Sequence, residues 1–76
     1  MELKGFIANF AEQFDDTDAS EITATTAFHE LDEWSSLVGM SVIAMVKMQY
    51  NKTVTGAEIK SCETVEDLFS LINNKG

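Results

Sequence analysis

Between Leu37 and Tyr50, ten of fourteen residues are apolar, and the exceptions are Gly39, Ser41, Lys47 and Gln49. These apolar positions do not alternate, and they leave hardly any side of a helix polar. Such a helix sits in water either at the centre of a bundle or with part of its surface kept for a partner. It falls short of the roughly 20 apolar residues of a membrane span. The rest of the chain must therefore supply the cover.

That cover is written in helical periods. Leu3, Phe6, Ile7, Phe10 and Phe14 fall at i, i+3, i+4, i+7 and i+11, which predicts an amphipathic first helix ended by Asp15-Asp16-Thr17-Asp18. Residues 16–35, rich in Thr, Asp, Ala and Ser, hold no period and read as a long connection, with Ile22, Phe28 and Leu31 pinning it to the core. Thr55-Gly56-Ala57-Glu58 and Thr64-Val65-Glu66-Asp67 both carry the capping-box pattern, a hydroxyl with an acid three residues on. The first opens a short helix or turn carrying Ile59. The second opens a last helix with Val65, Leu68, Phe69 and Ile72 on one stripe, and residues 73–76 are expected to fray. The expected architecture is all-α: a small four-helix bundle of three longer helices and one short, with a long loop between helices 1 and 2, as one domain over residues 1–76.

Composition narrows the function classes. A chain of 76 residues buries only about 60–65% of its unfolded surface, which leaves little material to wall off a deep active site. The single cysteine, Cys62, cannot form an internal disulfide or a structural zinc site and is expected to be a small buried hydrophobe. With a net charge of −8 and no arginine, the chain is unsuited to phosphate-rich nucleic acid or to an anionic membrane surface. No secretory leader pattern opens it. A monomeric cytoplasmic domain is expected.

Catalytic and metal constellations are poorly supported. The four glycines, at 5, 39, 56 and 76, form no phosphate-binding loop. Asp16-Thr17-Asp18-Ala19-Ser20 resembles a calcium loop, but Glu21 stands at its glycine position and Ala27 at its bidentate glutamate. His29 beside Asp32 and Glu33 is a weak ligand set, and no metal site is expected. His29, Asp32 and Ser36 hold the letters of a triad without a pocket or an oxyanion hole. One segment stays unusual: Trp34-Ser35-Ser36-Leu37 at the start of the most apolar helix. A serine there is either an N-cap or an exposed hydroxyl for a phosphodiester, whose charge a helix N-terminus favours.

Over essentially its whole length the chain resembles the acyl carrier proteins. The similarity rests on size, acidity, the long first loop and Ser35-Ser36-Leu37, which corresponds to the family's Asp-Ser-Leu triplet at the start of helix 2. Trp34, Glu21-Ile22-Thr23, Phe28, Leu31, Tyr50 and Thr64-Val65-Glu66-Asp67-Leu68 add to it. The resemblance implies that Ser36, flanked by Ser35 and Leu37, carries 4′-phosphopantetheine derived from coenzyme A. It implies a non-catalytic carrier that holds acyl groups as thioesters for fatty-acid or polyketide-type biosynthesis. The implied partners are a phosphopantetheinyl transferase and acyl-loading and acyl-processing enzymes. An aminoacyl or peptidyl carrier uses the same arm and stays open as an alternative, as does an unmodified acidic interaction module; a small hydrolase is the remotest option.

Two positions depart from the family pattern. Ser35 stands where the family has the aspartate that helps the transferase and its metal engage the site. Nine of the thirteen acids lie in residues 1–33 and four in 58–67, so Trp34 to Gly56 holds none and, with Lys47 and Lys52, is net +2. The family usually presents an acidic helix 2 to basic partners. Here Trp34, Leu37, Val38, Ser41 and Met45 are the candidate partner residues, with apolar contact replacing much of the electrostatic steering.

Overall fold

The computed structural model describes residues 2–75 and holds four helices: α1 (Leu3–Ala11), α2 (Ser36–Tyr50), α3 (Gly56–Ser61) and α4 (Val65–Asn73). α1 packs on α2 and α4, and α2 packs on α3. The all-α bundle and its long first connection are as expected.

α1 is shorter than its stripe suggests. It ends at Ala11, and single-turn bonds from Gln13 N to Phe10 O and from Phe14 N to Ala11 O carry the chain onward. Phe14 stays buried all the same, because a tightened last turn preserves the side on which its ring emerges. Asn51, with φ 55 and ψ 37, ends α2 in the left-handed conformation that asparagine tolerates better than most side chains.

Both capping boxes form. Thr55 Oγ1 accepts from Glu58 N while Glu58 accepts from Thr55 N, and Thr64 and Asp67 repeat the arrangement. The chain's end holds more than expected: Lys75 pairs with Glu58 at 2.7 Å, and its N–H donates to Ile72 O. Gly76, also expected to fray, lies outside the described residues.

The long connection is ordered by packing. It contains two 3-10 turns, at Ala19–Glu21 and Phe28–Glu30. It is sutured to the start of α4 by Val65 N to Thr26 O and Glu66 N to Ala24 O. Ile22 and Phe28 are buried and Leu31 packs against the core. Cys62 is buried too, and burial pushes its thiol above the usual range, away from nucleophilic use.

Candidate functional site

Trp34, Ser35 and Ser36 reach their places through three local devices. Phe28, fully buried, packs edge-on against Phe10 at 5.4 Å and against Trp34 at 4.8 Å. Phe10 stacks on Trp34 at 6.4 Å. The half-buried indole then lies over Gly39, with Cζ2 3.6 Å from where a Cβ would stand. The segment that launches α2 is thus anchored on the aromatic core of α1 and the loop.

Glu33 is the second device. Its carboxylate accepts from Asp15 N, from Asp16 N at 3.0 Å and from Thr17 Oγ1 at 2.7 Å, tying the exit of α1 to the residues before Ser36. The Thr17 hydroxyl, with the backbone N–H groups, holds this carboxyl below its ordinary value. Glu58 is held low by Lys75 and then by Thr55, Asp67 by the Thr64 cap, and Asp18 by Ser20. A carboxyl depressed in the folded state adds stability above its unfolded pKa and loses it as pH falls through the folded one. These contributions are therefore complete at neutral pH, begin to fall near the ordinary values of 3.8 for aspartate and 4.5 for glutamate, and are gone only below the depressed folded values. Thermal melts across that range should show Glu33→Gln less stable than wild type at neutral pH and the two converging in acid. Parallel curves would show that the latch adds nothing.

His29 is the third. Its Nε2 lies 3.1 Å from Ile59 O and 3.0 Å from Cys62 O, and since both partners are carbonyls, Nε2 carries the proton and donates. The ring also contacts Phe28 and Trp34. His29 fastens the end of α3 to the loop.

At the helix start the two serines divide their roles. Ser35 is the N-cap, with extended backbone and an Oγ that accepts from Val38 N at 3.3 Å. Ser36 is the first helical residue and is exposed, and among the described residues no hydrogen bond engages its hydroxyl. Beside it opens a cleft of about 390 Å³ between α2 and α3, lined by Trp34, Met40, Ile43 and Ile59 with His29 and Lys60 among its borders.

A family model described as a phosphopantetheine attachment site matches residues 6–72. The chain belongs to that family. No curated protein and no solved structure matches it. Members of the phosphopantetheine-attachment family are carriers, not enzymes, and hold 4′-phosphopantetheine covalently. The residues present fit such a group: a free hydroxyl on the first turn of a helix, where unpaired N–H groups favour a phosphodiester, opening beside an apolar cleft.

The structure corrects the partner-surface expectation for this carrier. Val38 and Met45 are buried at 8% and 6% exposure, because they share a side of α2 with Val42 and Val46, against the core. Ser41 is half-buried and its hydroxyl donates to Leu37 O, and Trp34 is largely absorbed by the aromatic cluster. Leu37 is exposed at 74%, but Met40 at 66% was missed, and Met48 at 82% stands with them. The signal was present: Leu37, Met40, Ala44 and Met48 follow i, i+3, i+7 and i+11. It competed with an equally apolar stripe on the other side.

Proposed function

We propose that Ser36 is the residue that bears 4′-phosphopantetheine and that the chain is an acyl carrier for fatty-acid or polyketide-type biosynthesis. The observation that carries this is the exposed Ser36 hydroxyl at the mouth of the α2–α3 cleft, within the segment matched by the family. When bound, the arm supplies the thiol on which cargo is held as a thioester. The chain's own residues do the rest. Ser35 caps α2 and so sets the orientation of Ser36, Glu33 and Trp34 fix the approach to it, and Met40, Ile43 and Ile59 offer apolar surface that suits an acyl chain better than a charged amino acid. Tethering raises the effective concentration of cargo at successive partner enzymes. No described helix is long and apolar enough to cross a membrane, and a monomer in the cytoplasm is the setting we assign.

The test is intact-protein mass spectrometry after incubation with coenzyme A, magnesium and a broad-specificity phosphopantetheinyl transferase, which should add one arm. Cargo class is then read from Trp34, the chain's single tryptophan. Loading a medium-length acyl arm should shift its emission to the blue as water leaves the cleft, whereas an acetyl or aminoacyl arm should leave it unchanged. Equal spectra for all three would count against a buried acyl chain.

A further inference from the structure

α2 presents two apolar faces, and only one of them is used by the fold. Val38, Val42, Met45 and Val46 are buried, while Leu37, Met40, Ala44 and Met48 form a stripe along the exposed side. At 1.5 Å per residue that stripe is about 16 Å long. Its edge toward α3 is cationic. Lys47 stands about 60° round the helix from Ala44 on the side of Met40, and Lys60 borders the same cleft as Met40. Both lysines are exposed, and neither makes an ion pair among the described residues. α2 itself holds no carboxylate.

The acids are concentrated elsewhere. Asp16, Glu21, Glu30, Asp32 and Glu33 border one recess beside the long connection, toward the Ser36 end of the stripe. Charges are screened over about 8 Å at physiological salt, so the Met48 end lies about two screening lengths from the Ser36 end and answers first to Lys47, while Lys60 stands on the Met40 side of the cleft. Lys47, the nearest charge on α2 to that end, is opposite in sign to the net charge of the molecule.

We infer that this face receives a partner protein whose docking groove is apolar and rimmed with carboxylates where it meets Lys47 and Lys60, the reverse of a basic patch receiving an acidic helix. The inference rests on the carrier reading above for its biological setting, but its geometry is independent of arm attachment. Apolar contact along Leu37, Met40 and Met48 supplies affinity, and the two lysines select the sign of the rim.

Two synthetic amphipathic helical peptides with one shared leucine-rich face, flanked either by glutamates or by lysines, test it. Each is titrated into the isotope-labelled protein and followed by amide shifts. The glutamate-flanked peptide should perturb residues 37–48 and bind about fivefold or more tightly than its lysine-flanked twin. In the double variant Lys47→Glu, Lys60→Glu, whose exposed sites leave the core untouched, the preference should invert. Equal affinity, a preference for the lysine-flanked peptide at residues 37–48, or no shifts there would overturn the inference. So would concentration-dependent dimerisation through the stripe, which would make a second copy the occupant. Mass gain at Ser36, scored separately, distinguishes failure of this inference from failure of the carrier reading.

Discussion

Ser36→Ala is expected to abolish addition of the phosphopantetheine arm, while Ser35→Ala accepts it and loses thermal stability. The two hydroxyls are neighbours in sequence, yet their surroundings separate them. Ser35 Oγ accepts from Val38 N and so satisfies one of the unpaired N–H groups at the start of α2. Replacing a serine cap by alanine costs about 1 kcal/mol, which for a domain this small is a fall of roughly 4–8 °C in melting temperature. Ser36 makes no such bond among the described residues, so Ser36→Ala should fold with near wild-type stability and fail only in modification. Intact mass and thermal melts on the same three proteins read both quantities. A mass gain lost in Ser35→Ala alone would move the attachment point by one residue. A gain retained in Ser36→Ala would sink the proposed site.

The second large effect is expected at Phe28. Its ring is fully buried and joins Phe10, Trp34 and His29. Truncation to alanine removes apolar burial and leaves a cavity, at about 3–5 kcal/mol for a buried phenylalanine. A 76-residue domain holds only about 4–11 kcal/mol in total, so Phe28→Ala should be at or near the edge of unfolding. Phe28→Leu, which refills much of the space, should recover most of the loss. Denaturant melts decide the matter. The consequence for function is specific: what survives folding should show Trp34 more exposed and arm addition slowed, because the indole that positions Ser35 and Ser36 loses its support. A Phe28→Ala protein as stable as wild type would show that the loop is held by its hydrogen bonds to α4 and not by this cluster.

The exposed stripe on α2 places the carrier's recognition chemistry in a different balance from an acidic helix. Lys47 lies toward the end away from Ser36 and Lys60 on the α3 side of the cleft, while the acids of the long connection include Asp32 and Glu33 just before Ser36. A transferase approaching Ser36 and a processing enzyme lying along α2 would therefore meet different fields on one small molecule. That division follows from where the thirteen acids fall in the chain, and the bundle keeps them apart by giving α2 none.

Much of this was legible before any coordinates. Capping boxes at Thr55 and Thr64 are local, since their acids lie three residues from their hydroxyls and reach back whatever the rest of the chain does. The buried stripe of α4 is periodic and faces a strongly polar opposite side, so its orientation was fixed by pattern alone. The resemblance likewise needed only the order of the residues: the Ser35-Ser36-Leu37 triplet together with the chain's size, acidity and long first loop. Three things awaited the tertiary structure. The rotation of α2 was one: with apolar residues on both sides, hydropathy has no minimum around the helix, and only packing against α1 and the loop chose Val38 and Met45 over Met40 and Met48 for the core. The division between the two serines was another, because an N-cap is defined by backbone angles that the identity of neither residue dictates. The ordering of residues 16–35 was the last. Glu33 reaches back to Asp15, Asp16 and Thr17, and His29 reaches forward to Ile59 and Cys62. Contacts across such separations leave no periodic trace in the chain, because they depend on where the helices bring its distant parts together.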